Sequence, residues 1–322
     1  MQPLSAMLVV DLTRYLPGAY ASRELLRLGA RVVRLEAPDG DPMRHVAPAW
    51  DEALGAGKES VACDLKTERE LARALCARAD VVLEGFRPGV AARLGVGPDD
   101  VPERAVYCSI TGFGSEGPHV DRVGHDLNYL GFAGVLADTA PGLPPLQPAD
   151  LAAGALAATA EILAALLERE RTGTGAHLTI SMTHGAHRLV AHRLGCDPLP
   201  RFLTGGLACY RIYATADARH LTVGALEPKF FVRLCEVVGR PKLAELHLDG
   251  ARQEELAGEL ATVFAARPLA EWLELFDGEE VAAGPVATLA EAAAEFGSPI
   301  PELRAPALGE HTDAWRRELG LA

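Results

Sequence analysis

The first 36 residues constrain the fold more than any other stretch. Met7–Leu12 is a compact apolar run of strand length. Pro17 and Gly18 follow it, and Ala19–Leu28 then places Leu25, Leu26 and Leu28 at helical spacing, with Gly29 at the position that ends a helix. Arg31–Glu36 is a second strand. A strand, a crossover helix and a strand make a β-α-β unit, and two strands so joined lie parallel. Further strands are expected at Val61–Leu65, Val81–Glu84, Ala105–Ile110 and His177–Met182. Helical stretches at Glu68–Ala79, Val90–Leu94 and Leu151–Arg171 separate them. This alternation predicts an α/β fold: a Rossmann-like parallel sheet covered by helices.

At 322 residues the chain has room for two domains. The stretch from Cys196 onward carries Pro198, Pro200, Gly205 and Gly206 and reads as a linker. Tyr210–Thr215 and His220–Val223 form an expected hairpin around Ala216–Arg219, with helices at Lys229–Val238, Gln253–Ala266, Leu269–Leu275 and 288–296. The expected organisation is a large domain over 1–195, a linker over 196–209 and a smaller α+β domain over 210–294. The tail, 295–322, should return to the large domain.

The net charge of −13 argues against nucleic acid as a partner, since phosphate binding needs a basic surface. An anionic ligand would need a local cluster of Arg and Lys. Cys63, Cys76, Cys108, Cys196, Cys209 and Cys235 form no Cys-x-x-Cys pair and read as buried free thiols in a reducing compartment. The N-terminus shows no signal-peptide pattern, and the Leu151–Leu167 run reads as a buried helix rather than a span. A cytoplasmic protein with no membrane partner is the expectation.

Three residues stand out chemically: His125 in Gly-His-Asp-Leu-Asn-Tyr, Asp150 in Pro-Ala-Asp-Leu-Ala-Ala-Gly, and Glu227 in Gly-Ala-Leu-Glu-Pro-Lys-Phe. They supply two proton carriers and a carboxylate able to orient a histidine. Each also has a plainer reading. His125 opens a helix, Asp150 caps the Leu151 helix, and Glu227 precedes a helix with Pro228 at its first position. His184, His187 and His192 lack a completing carboxylate and make a poor metal site. Gly55-Ala56-Gly57-Lys58-Glu59 is not a P-loop, and no Gly-x-Gly-x-x-Gly follows the first strand.

Taken in order, these segments resemble the family III CoA-transferases (CaiB/BaiF), and within them the α-methylacyl-CoA racemase branch. The resemblance runs over nearly the whole chain. It is carried by Val10-Asp11-Leu12-Thr13, Leu16-Pro17-Gly18, Leu28–Glu36, Gly40–Arg44, Glu84–Gly89, Arg93-Leu94-Gly95, the Thr111–Gly114 loop, Arg171–Gly175 and Pro306–Thr312. The segments around His125 and Glu227 look like the racemase branch. The aspartate matched by Asp150 serves both branches, as a base in racemases and as a nucleophile in transferases. The sequence departs from the family at Gly55–Glu59, and in the short Met182–Gly205 stretch with its histidines.

The resemblance implies an acyl-CoA isomerase that inverts the α-carbon of a 2-methylacyl-CoA through an enolate. His125 and Asp150 would be the bases, Glu227 would hold His125, and the Asp126 backbone N–H would receive the enolate oxygen. Arg44, Lys66, Arg87, Arg93 and Tyr129 would bind coenzyme A, which enters as part of the substrate, with no resident cofactor or metal. The partner implied is a second copy, in an interlocked homodimer that brings Glu227 of one chain toward His125 of the other. Two alternatives stand beside this: a CoA-transferase working through an anhydride on Asp150, and a non-catalytic acyl-CoA-binding protein.

Overall fold

The structure, a computed structural model, describes residues 2–196, 200–298 and 302–321. Two compact units are present. One runs to His192 and resumes in the C-terminal residues after 300; the other starts at Arg193 and ends before 300.

The larger unit is built on six parallel strands: β1 (Leu8–Asp11), β2 (Arg31–Glu36), β3 (Glu59–Ala62), β4 (Val81–Glu84), β5 (Val106–Thr111) and β6 (His177–Ser181). Their order is β3-β2-β1-β4-β5-β6. Helices cover both faces, so the inner strands are buried on both sides; Val9, Val10, Val82 and Leu83 of β1 and β4 are fully buried, and β2 also buries the charged Arg34 and Glu36. The strand order reverses between β1 and β4. The loops leaving these two strands diverge there, and a crevice opens beyond their carboxyl ends.

The helix Ala149–Thr172 begins with a π-helical stretch, Ala149–Leu156, and continues as α-helix. Its length and its mean hydropathy of 1.7 would suit a membrane span, yet Ala153, Ala158, Ile162 and Leu166 are spent on the core of this unit. The first turns are closely packed. A Cβ on Gly185 would meet Ala153 at 2.8 Å, and one on Gly154 would meet Met182 at 3.0 Å. The tail returns to the sheet edge. Thr312 Oγ1 accepts the Ala62 N–H at 3.0 Å, and the buried Trp315 donates to Glu59 beneath the Arg31 guanidinium, 4.1 Å from its ring.

The smaller unit has three antiparallel strands, β7 (Tyr210–Ala214), β8 (His220–Gly224) and β9 (Ala283–Pro285), backed by helices Pro228–Val237, Gln253–Phe264 and Leu269–Phe276. Of the expected 196–209 linker, residues 197–199 lie outside the described residues, while Ala208 and Cys209 are buried in this unit's core. The helix Leu289–Phe296 also belongs to this unit. Five of the six free thiols are buried, as expected for most of them, and Cys196 is exposed.

Candidate active site

The turn after β1 rests on a buried polar network. The Asp11 carboxylate accepts from Thr13 N–H at 2.9 Å, Thr13 Oγ1 at 2.5 Å and Ser22 Oγ at 2.5 Å. Lys58 enters from below and donates to Ser22 Oγ at 2.7 Å and to the Ala19 carbonyl at 2.9 Å. The Gly55–Lys58 departure therefore feeds the inside of the molecule. Burial pulls the Lys58 ammonium down to about 8, against the opposing pull of Asp11. Gly18 is required here, because a Cβ would overlap Thr13 at 2.0–2.4 Å.

This network presents Arg14 and Tyr15 to the crevice. Tyr15 has φ 65°, a left-handed conformation costly for an aromatic residue, and Asp41 fixes it by accepting its N–H at 3.1 Å. The Tyr15 ring stands edge-on to His125, with centroids 6.1 Å apart. Neither Arg14 nor Tyr15 was picked out from the sequence. Their position, directly after a strand and before a helix at the switch point, is the signal that could have found them.

His125 immediately precedes the helix Asp126–Phe132. Its N–H donates to Asn128 Oδ1 at 3.1 Å and its imidazole is exposed. Tyr129 is buried in a slot between two glycines and donates its hydroxyl to the Gly124 carbonyl, which sets the entry into His125. A Cβ on Gly112 would strike the Tyr129 ring at 2.6 Å, and one on Gly124 would strike it at 2.9 Å. Among the described residues the Asp126 N–H, at the head of the helix, makes no hydrogen bond. It is one of the orphan donors of a helix start.

Asp150 corrects one expectation. It does not cap the Leu151 helix; it lies inside the π-helical first turn, after Pro148. The cap comes from Asp126, whose carboxylate accepts the Asp150 N–H at 2.9 Å from 24 residues away. Burial, and then the neighbouring Asp126 charge, push the Asp150 carboxyl up to about 7. Burial also raises Asp126, against the two backbone N–H groups that favour its charged form.

Three cavities run along this edge. One of about 140 Å³ is lined by Arg14, Leu65, Lys66, Phe86 and Leu94. It shares Thr13, Arg14 and Phe86 with a cavity of about 820 Å³ that holds Arg87, Arg122, Tyr129, His125 and Asp150. That cavity in turn shares Tyr15, His125 and Asp150 with a third, of about 310 Å³, whose other walls include Trp50, Leu143 and Leu146.

The predicted ligand-binding residues divide. Lys66 and Arg87 are exposed on these cavities, and among the described residues their side chains make no ion pair. Arg93 is exposed on the helix Val90–Leu94 but lines none of the three. Arg44 is turned inward: Nε and an Nη donate to Glu36 at 2.7 Å each, and another Nη donates to the Pro306 carbonyl at 3.2 Å. Those bonds occupy a guanidinium expected on phosphate, and they tie β2 to the tail. Glu227 lies in the smaller unit, exposed, just before the helix Pro228–Val237. Among the described residues no group of three or more His, Cys, Asp or Glu side chains gathers as a metal site; His187 Nδ1 instead lies 3.0 Å from the Ala133 carbonyl.

The profile of CoA-transferase family III matches residues 4–298. The human alpha-methylacyl-CoA racemase is 34% identical, over 99% of this chain and 94% of its own. The succinyl-CoA:glutarate CoA-transferase of mouse is 31% identical, over 96% of this chain and 79% of its own. The crystal structure of a CaiB/BaiF family protein from Brucella suis superposes with a TM-score of 0.86 at 28% identity, covering 99% of both chains. The mixed α/β fold, the six-stranded parallel sheet and the sequence match agree: this chain belongs to CoA-transferase family III.

Proposed function

We propose that this protein racemises or epimerises the α-carbon of a 2-methylacyl-CoA by proton transfer through an enolate. The observation that carries the reading is that His125 and Asp150 open onto the same two cavities, where burial and the Asp126 charge push the Asp150 carboxyl up to about 7. A carboxyl half protonated at neutral pH both takes and gives a proton, which suits a reversible 1,1-transfer. A nucleophilic carboxylate gains nothing from being protonated.

In the proposed step, neutral His125 removes the α-proton from one face and becomes imidazolium. The electron pair moves into the thioester carbonyl, and the enolate oxygen is received by the free Asp126 N–H. Protonated Asp150 then delivers its proton to the opposite face and is left as carboxylate; the reverse direction exchanges the two roles. The nucleotide of coenzyme A would lie by Lys66 and Arg14, with pantetheine passing Arg87 toward His125. Glu227 would hold the His125 imidazole in its useful tautomer, approaching from the partner chain of an interlocked homodimer.

The transferase alternative has Asp150 attack the thioester to form an anhydride. One experiment separates the two. Incubation with a 2-methylacyl-CoA in D₂O should place deuterium at the α-carbon, while hydroxylamine leaves Asp150 unlabelled. Labelling of Asp150 as a hydroxamate without α-exchange overturns the racemase reading. Neither signal, with acyl-CoA binding intact in Asp150→Ala, would establish a binding protein instead.

A further inference from the structure

Tyr15 stands where glycine would be the easier residue. Arg14 before it is extended, the helix Tyr15–Arg27 follows, and the corner between them is turned at φ 65° by Tyr15 itself. An aromatic side chain is costly in that region and glycine is not. Such strain persists only where the surroundings over-determine it, and it points to a use for the side chain.

The surroundings are buried and charged. Asp41 Oδ2 accepts the Tyr15 N–H at 3.1 Å, and Asp41 Oδ1 accepts the Met43 N–H at 2.8 Å. That carboxylate is buried and lies 3.7 Å from the Arg34 guanidinium, which donates to Asp51 at 2.6 Å. The Asp41 N–H in turn donates to Glu36 Oε2 at 3.2 Å. Arg34 and Glu36 both belong to β2, so the corner at Tyr15 hangs from the sheet. Two residues earlier, Asp11 at the end of β1 fixes Thr13.

The held ring has one evident object. Tyr15, His125 and Asp150 line the same two cavities. Among the described residues the exposed His125 imidazole makes no hydrogen bond, while the Tyr15 ring lies at 85° to it with centroids 6.1 Å apart, an edge-to-face contact. Among the same residues the Tyr15 hydroxyl makes no hydrogen bond either, so the ring alone carries the contact. An exposed imidazole turns freely between rotamers, and a fixed ring beside it removes part of that freedom.

We propose that Tyr15 is a positioning residue: its ring, aimed by the left-handed corner that Asp41 holds, keeps the His125 imidazole turned toward the carbon shared with Asp150. Tyr15 sets the rotamer, a separate task from the tautomer assigned to Glu227. This inference rests on the role of His125 in the proposed function. A misplacement on the order of 1 Å at a reacting group costs about 100-fold in rate, so the loss should fall on turnover and not on binding.

The test uses the full chain and two independent readouts. Tyr15→Leu should lower kcat for α-deuterium exchange of a 2-methylacyl-CoA about 10–100-fold with KM within about twofold, and Tyr15→Phe should restore wild-type exchange. In protein labelled with ¹³C at histidine Cε1, the His125 signal, identified by its loss in His125→Gln, should move in Tyr15→Leu and stay in place in Tyr15→Phe. Tyr15→Gly and Tyr15→Ala both lack the ring, and Tyr15→Gly should melt at the higher temperature because only glycine is at ease in the left-handed corner. A rise in KM with kcat unchanged, a loss that Tyr15→Phe does not restore, or an unmoved His125 signal overturns the proposal. Equal melting of Tyr15→Gly and Tyr15→Ala overturns the strained hold. Absence of α-exchange in wild type sinks the racemase reading, and the His125 signal alone then decides whether Tyr15 positions the imidazole.

Discussion

Asp150→Asn should make the protein more stable and inactive at once, and the size of the gain follows from the site. An aspartate ordinarily titrates near 3.9, whereas burial and the Asp126 carboxyl hold Asp150 near 7. Ionising it in the folded state then costs about 4 kcal/mol more than in the unfolded chain, at about 1.36 kcal/mol per tenfold step in proton affinity. The partial exposure of the carboxyl lets water screen some of this, so a cost of about 2–4 kcal/mol is expected. The sign follows from a raised folded value. Below about pH 4 both states are protonated and nothing is lost; between about 4 and 7 wild type loses stability as pH rises; above about 7 the loss is constant. Asparagine stays neutral, and its amide can donate to Asp126. Urea unfolding of both proteins at intervals from pH 4.5 to 8.5 should show a stability difference that grows in favour of the variant and then levels off. Subtracting the difference at low pH removes any constant packing effect of the amide. A flat difference across that range, or one that grows in favour of wild type, would refute the claim that Asp150 is held protonated by its surroundings.

Two further predictions concern the scaffold beneath the site. Gly112→Ala would press a methyl group into the buried Tyr129 ring, costing about 1–3 kcal/mol by overpacking and shifting the Gly124 carbonyl that leads into His125. α-Exchange should fall further than melting temperature alone explains, whereas Gly131→Ala, with open space around it, should leave exchange unchanged. Lys58→Met removes the cation beside the buried Asp11, and thermal or urea unfolding should show a loss of about 3–5 kcal/mol. A loss below about 1 kcal/mol would mean that Asp11 and Ser22 support the Thr13–Tyr15 turn without it.

The sheet was legible where burial dictates composition. The β1 segment read correctly because a parallel strand covered on both faces is nearly all apolar, and β2 because it follows the crossover helix, although it carries Arg31, Arg34 and Glu36. β3 runs over Glu59–Ala62 instead of Val61–Leu65, because pairing with β2 fixes its ends and pulls the charged Glu59 into the ladder. β9, the three residues Ala283–Pro285, has no strand composition; pairing with β8 makes it one. The π-helical turns at Ala149–Leu156 lie against Gly185 and Met182, contacts that no helical periodicity contains. In the site, His125 and Asp150 were legible from their segments. The capping of Asp150 by Asp126 and the inward turn of Arg44 onto Glu36 were not, because each joins residues that meet only after the sheet has formed. Trp50 gave no sign because an exposed aromatic side chain becomes part of a cavity wall only in three dimensions.

The return of the tail to β3 has a consequence for the order in which the molecule is made. Glu59, Ser60 and Ala62 all find their partners in His311, Thr312 and Trp315, some 250 positions later. A ribosome emitting this chain releases every residue of the smaller unit before those partners emerge. The nascent larger unit must wait with one flank of its sheet bare, and the cell's chaperones have that interval in which to find it.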